Sequence, residues 1–349
     1  SLPTQAAEEA ISRLSADFLV ELQYDAPLHS QDSDHEQRDL YTTVESSLGL
    51  ALAGPFSLHT NLVLESVSDP RGTGSRYFDD QGLYAEQIFI AYETETLFWK
   101  VGKINPAFGI AWGHTPGVYG VDFAEDYEIT EKIGLELELP IKLSEQMQLR
   151  WTAAAFFADT TLFSESVINH RYYDEARTKE RNRKSLGGLT NTEKLDSFTT
   201  TLTGENLLGR ERCFWNLGFS HFENPDASAD QQSVLAAAHC PFELREGLEL
   251  DLFAEGVLQD NAEGVDDDKG NYLTTSASLA WGNWRTALAQ TQRNLKPKHG
   301  SDSRNRLYQV SVGYEFESGI GAEIAYLRTR EDRVHTNGFG FLVYYEFGL

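Results

Sequence analysis

The residues with the clearest chemical potential in this chain are carboxylates set at every second position. In Leu248-Glu249-Leu250-Asp251-Leu252-Phe253-Ala254-Glu255 the even positions are apolar, while Glu249, Asp251 and Glu255 share the opposite face, the pattern of a half-buried strand. Extending this phase along the chain places Asp17, Glu21, Glu65, Glu136, Glu138, Glu249, Asp251, Glu255, Glu315, Glu323 and Glu346 on one polar face, with Lys100, Lys132, Arg150, Arg285 and Arg293 against them. If that face lines a water-filled space, the space is net negative, carries a transverse field that orients dipolar solutes, and attracts cations. The plainer reading is that the charges only keep the space wet.

The cysteines offer a second chemistry. Cys213 and Cys240 are too few for a disulfide framework and lack metal-ligand spacing. They share the outward phase of two neighbouring strands, Cys213 with Trp215 and Leu217, Cys240 with Ala236 and Ala238. A hairpin centred between residues 226 and 227 puts them opposite each other, at the roughly 4.5 Å Cα separation of a non-hydrogen-bonded pair, and hence within disulfide range. A register slip of two residues would defeat the bond. The acidic run from Asp260 to Asp268 has the oxygen ligands a hard cation wants but not the spacing of a calcium loop, and reads better as a solvated connection. Neither Gly-x-Ser-x-Gly, His-Glu-x-x-His nor a phosphate-binding Gly-Lys loop occurs, so no enzyme, cofactor or resident metal is expected.

The elements that must carry these residues are strands throughout. Period two recurs near 13-25, 40-53, 56-68, 83-94, 96-104, 126-139, 147-158, 195-206, 211-222, 231-241, 247-259, 271-282, 284-294, 306-317, 320-331 and 337-347, with the phase ambiguous in 83-94. Tight turns such as Ala53-Gly54-Pro55, Glu93-Thr94-Glu95, Gly282-Asn283 and Ser318-Gly319 alternate with longer polar connections at 26-39, 69-82, 105-125, 159-194, 223-230, 260-270 and 295-305. A soluble sandwich has no reason to sort its loops this way. An antiparallel up-and-down transmembrane β-barrel of about 16 strands does, with short periplasmic turns, long extracellular loops and both termini in the periplasm. Residues 4-12 read as a short periplasmic helix with Thr4 as N-cap, or as the remnant of a leader; residues 13-349 form a single barrel domain.

Composition agrees. The chain has 349 residues with a formal charge of -25, which argues against nucleic acid or anionic headgroups as the principal partner. No apolar run approaches the roughly 18 residues of a membrane helix, whereas a barrel strand needs only alternate positions apolar. The chain opens Ser1-Leu2-Pro3, which suggests that a leader has been removed or the chain trimmed. Tyr24, Phe56, Tyr92, Trp99, Tyr127, Trp151, Trp215, Trp284, Tyr308 and Phe347 are the candidate interface aromatics.

Two segments carry a resemblance. Gly340-Phe341-Leu342-Val343-Tyr344-Tyr345-Glu346-Phe347 resembles the aromatic last strand of bacterial outer-membrane proteins, although Gly348 and Leu349 follow it. Trp99-Lys100-Val101-Gly102-Lys103-Ile104-Asn105-Pro106-Ala107-Phe108-Gly109 is similar to the strand-to-loop segment of many Gram-negative porins. The resemblance to general porins implies an outer-membrane diffusion channel for small hydrophilic solutes and ions, in contact with lipid and lipopolysaccharide and assembled as a homotrimer. It also implies an inward third extracellular loop, here 105-125, with Phe108, Trp112, Asp122 and Glu125. Loop 159-194, rich in basic residues such as Arg177 and Arg181, is a second candidate for the constriction. Small outward residues Ala153, Ala155, Ala236 and Ala238 mark 147-158 and 231-241 as candidate subunit contacts. The alternatives are an export conduit or scaffold for a periplasmic or surface partner and, less favoured, an outer-membrane enzyme.

Overall fold

The computed structural model describes residues 13–33, 36–67, 74–144, 147–169, 179–226 and 229–349. The expected helix at 4-12 and the candidate Arg177 lie outside the described residues. Sixteen antiparallel strands follow one another around a closed barrel. They are β1 (Leu14–Ser30), β2 (Asp39–Ala51), β3 (Phe56–Ser66), β4 (Gln81–Glu93), β5 (Phe98–Ile104), β6 (Lys132–Lys142), β7 (Gln148–Ala158), β8 (Ser197–Glu205), β9 (Phe214–Phe222), β10 (Gln231–Arg245), β11 (Leu248–Asp260), β12 (Lys269–Trp281), β13 (Trp284–Lys296), β14 (Ser303–Glu315), β15 (Ile320–Glu331) and β16 (Val334–Gly348). β1 pairs with β2 on one side and β16 on the other, so no edge is left with unpaired backbone groups.

The pleat decides what faces where. On β11, Val257 is fully buried while its neighbour Leu258 is 58 % exposed, and the same inversion sets buried Ala289 beside exposed Leu288 and buried Ala325 beside exposed Ile324. An exposed apolar stripe on every other residue is what a wall in lipid requires. Aromatic rings gather where the strands meet the short turns: Phe56, Tyr92 and Trp99 touch one another, as do Trp284 with Tyr314 and Phe18 with Phe347.

Several local readings change. The ambiguity in 83-94 is a β-bulge: Asn61 pairs with Gln87 and Leu62 with Ala85, leaving Glu86 as the extra residue that reverses the phase. The strand expected at 126-139 starts only at Lys132, so Tyr127 stands inside the barrel rather than in the aromatic girdle. The alternation of short and long connections also has two exceptions: β15 and β16 are joined on the long-loop side by only Asp332 and Arg333, and the turn 206–213 is long enough to hold a 3-10 segment, Leu207–Gly209.

That turn leads into the cysteine pair. β9 pairs with β10 through Phe214 and His239, which sets Cys213 against Cys240 one step further on, and the two are joined by a disulfide with Cα atoms 4.3 Å apart. The bond closes a segment with a sequence separation of 27, for which chain entropy gives about 3.5 kcal/mol of stabilisation. Cys213→Ala is therefore expected to lower the urea midpoint of the lipid-embedded barrel by a corresponding amount, read by tryptophan fluorescence; an unchanged midpoint would show that the hairpin is already fixed by its neighbours.

Candidate functional site: an acid-lined constriction

The loop 105–131 leaves the wall at a kink. Gly102 has φ +142, and a Cβ there would lie 2.3 Å from the Ile88 carbonyl oxygen, so only glycine permits the departure. The loop then crosses the lumen and is fastened to the opposite wall by backbone groups that would otherwise be unsatisfied. Ala107 N–H donates to the Glu136 carboxylate at 2.7 Å. Glu255 accepts from Ile110 N–H (2.7 Å), Ala111 N–H (3.3 Å) and the Tyr127 hydroxyl (2.7 Å). Gln309 on β14 donates to the Pro116 carbonyl (2.6 Å) and accepts from Tyr119 N–H (2.9 Å), and the Tyr119 hydroxyl reaches Asp25 on β1 at 2.5 Å.

Apolar contact completes the attachment. Phe108, Ala111, Ala124, Tyr127 and Ile129 pack on Phe156 of β7, Leu235 and Ala237 of β10, Phe253 and Val257 of β11 and Tyr272 of β12, while Tyr119 and Phe123 pack on Leu307 and Ala325. These small and apolar inner residues interrupt the polar lumen face because the loop, not water, covers them.

The loop and the wall strands β2, β3 and β4 border a cavity of about 220 Å³, lined by Glu45, Val63, Glu65, Tyr84 and Glu86 from the wall and by Trp112, Glu125, Glu128, Thr130 and Glu131 from the loop. No lysine or arginine is among these lining residues. Burial, with the nearby Glu86, Glu125 and Glu45, pushes the Glu128 carboxyl up to about 7. Asp122 is likewise held well above the usual carboxylate range by burial and by Glu125 and Asp25.

Among the described residues of loop 159–196, Lys179 brings an ammonium to this cavity. Lys179 contacts Glu131 and stands 3.4 Å from the centroid of the Tyr84 ring, a cation–π contact, and Tyr84 in turn donates to Glu65 at 2.5 Å. Burial draws the Lys179 ammonium below the ordinary lysine range, and Glu131 draws it back. The base of the same loop is held by Lys103, which meets Asp159 at 3.0 Å, Glu131 at 2.9 Å and the Phe163 carbonyl at 2.7 Å. Arg181 is exposed and donates to the Thr160 carbonyl.

The residues expected on the pore wall take several roles. Glu65 lines the cavity. Glu136 and Glu255 point inward but are spent on the loop; Lys100 pairs with Glu136 at 3.0 Å. Arg150 meets Glu138 at 3.2 Å, Glu249 holds Arg212 through two contacts of 2.8 and 3.1 Å, and Asp251 meets His239 at 2.7 Å. Lys132 opens β6 between Ile104 and Ala158. Glu21, Arg285, Glu315 and Glu323 gather around Tyr344 toward the turn end of the barrel. Of the loop candidates, Phe108 is buried against the wall, Asp122 is enclosed in the loop, and Trp112 and Glu125 face the cavity. The acidic run after Asp260 is tied to its neighbour: Lys298 bridges Asp266 at 2.7 Å and Asp267 at 2.9 Å.

Sequence reading missed Glu45, Glu86, Glu128 and Glu131. Glu45 alternates in phase with Thr43 and Ser47 and was legible; Glu86 was hidden by the bulge, and Glu128 and Glu131 by a strand drawn six residues too early.

The closed barrel with a membrane-facing apolar surface and an inward loop is the architecture of Gram-negative outer-membrane channels. No family model and no curated protein matches the chain. Solved structures do: the outer membrane channel DcaP of Acinetobacter baumannii (TM-score 0.57, 14 % identity, 96 % of each chain covered) and OpdK of Pseudomonas aeruginosa determined with vanillate (TM-score 0.55, 9 % identity, 97 % of this chain and 99 % of that chain). A loop-deleted OmpT of Vibrio cholerae is similar over 96 % of this chain and all of its own, at a TM-score of 0.57 and 8 % identity. At such identities the likeness concerns the fold: a porin-like barrel of the bacterial outer membrane, with no closer family shown.

Proposed function

We propose that this protein is a diffusion channel for small hydrophilic solutes that prefers cations. The observation that carries the reading is the constriction: carboxylates face it from both the wall and the inward loop and outnumber the lysines that reach it among the described residues, Lys179 and Lys103, both of which meet Glu131. Three of the inner-wall cations at other levels are already matched, Lys100 by Glu136, Arg150 by Glu138, and Arg293 by Asp126 and Glu331, so these do little to offset the field at the narrow point.

Reversal potential in a planar bilayer under a potassium chloride gradient tests this. A potential of the sign set by potassium supports it; a potential near zero or of chloride sign ends the selective reading, and a silent bilayer ends the channel reading. Lys179 gives a second handle. Lys179→Gln removes the ammonium that loop 159–196 brings to Glu131 and Tyr84 and is expected to raise both cation conductance and the permeability ratio, while Arg181→Gln, whose side chain is turned to Thr160, leaves them unchanged.

The outward faces of β7 and β10, with Ala153, Ala155, Ala236 and Ala238, are the proposed contacts of a trimer. Native mass measurement of the detergent-extracted protein checks this, a monomeric mass being the contrary result.

A further inference from the structure

The pore does not account for a group of side chains on the outer wall at the long-loop rim. His221 is the penultimate residue of β9 and pairs with Phe198 of β8, whose ring is exposed and stacks on the imidazole at 5.4 Å; it therefore looks away from the lumen. Glu223 and Asp230 open and close the connection to β10. The ligand atoms of His221, Glu223 and Asp230 all lie within 4.8 Å of one another.

The distances are informative. His221 Nε2 is 3.7 Å from Glu223 and 3.9 Å from Asp230, too far for hydrogen bonds. Metal–ligand bonds of about 2.0–2.2 Å around a tetrahedral zinc place neighbouring donors about 3.4 Å apart, close to this spacing. Two carboxylates held together beside an imidazole repel each other, and a cation between them would relieve that repulsion.

The surrounding structure holds the segments that carry the donors, and fixes the carboxylate of Asp230 directly. Asp230 has one oxygen occupied by Asn224 N–H at 3.0 Å, which leaves the other toward His221, and its carbonyl accepts from Asn261 at 3.0 Å. Glu223 is held at both backbone groups, its N–H donating to the Ser197 hydroxyl (3.1 Å) and its carbonyl accepting from Thr190 N–H (2.8 Å). The Asn224 contact to the Asp230 carboxylate is the kind of outer partner that orients a metal ligand. We infer that His221, Glu223 and Asp230 form a surface site for a divalent transition-metal cation of the zinc type, which ties the end of β9 to the start of β10 at the rim. One imidazole with two carboxylates favours zinc over calcium or magnesium, which take oxygen donors alone. Remaining coordination positions are open to water, since Glu223 and Asp230 are partly exposed.

The test is titration of the folded barrel in detergent with Zn²⁺, followed by calorimetry and by metal analysis after desalting. One saturable site is expected, with X-ray absorption showing mixed nitrogen and oxygen donors. His221→Ala and Glu223→Gln should each weaken it by at least about tenfold, whereas His299→Ala, at an exposed histidine in another loop, should leave it intact. Circular dichroism and unheated gel mobility confirm that every variant is folded. Absence of saturable binding, or binding that survives both His221→Ala and Glu223→Gln, would overturn the assignment and leave a cluster of ordinary ion pairs. Channel conductance does not enter, so the result is independent of the proposed function.

Discussion

Replacing Glu45, Glu65 and Glu128 together by glutamine is expected to abolish most of the cation preference. Each carboxylate within about 4 Å of an ion's path contributes about 1 kcal/mol even at the dielectric of water, roughly a fivefold change in local cation concentration. These three come from opposite sides of the same cavity, so their fields add along the path. The effect will be largest at low salt, because at 0.1 M the screening length is only about 10 Å. Glutamine keeps the volume and the hydrogen-bonding oxygen, so a change in reversal potential without a change in step size isolates charge. If the triple variant retained wild-type selectivity, the constriction described here would not be the selectivity element.

Glu128 adds a pH signature. Burial and neighbouring acids raise its carboxyl to about 7, so it is ionised above that pH and neutral below. Cation preference should then fall as pH is lowered from 8 to 6, well above the range in which an ordinary glutamate titrates. Glu128→Gln should flatten the profile over this interval. A profile that changes only near pH 4–5, or one that Glu128→Gln leaves unaltered, would assign the titration elsewhere.

The second large effect concerns the inward loop. Glu255→Ala leaves Ile110 N–H, Ala111 N–H and the Tyr127 hydroxyl without their acceptor, in a site where Glu255 is only 1 % exposed. Hydrogen bonds to a charged group contribute about 1.5–3 kcal/mol each, so losing three of them removes a large part of what holds this stretch of the loop. Single-channel recordings should show larger and noisier openings, with a protease-sensitive site appearing within 105–131 while the barrel stays folded. Glu255→Gln, which still offers a carbonyl oxygen, should restore part of the closed geometry. Unchanged conductance in Glu255→Ala would mean that the apolar packing of Phe108, Tyr127 and Ile129 alone holds the loop.

The sequence by itself determined the wall. Alternation of Glu249, Asp251 and Glu255 with apolar neighbours, repeated along the chain, specifies strands with a wet and a lipid face, because the pleat allows no other sorting. Register followed too where a hairpin was simple, which is why the cysteines could be set opposite each other from their spacing. Tertiary structure decided which inward residues meet solute. Glu136 and Glu255 are indistinguishable in pattern from Glu65, yet the loop, remote in sequence from Glu255, takes their oxygens and leaves Glu65 to the cavity. Glu86 reaches the same cavity only through a bulge, and Glu128 only because the chain stays off the sheet until Lys132. Strand periodicity is a local property of the backbone, whereas occupation of a lumen depends on contacts between residues far apart in the chain, which no local pattern encodes.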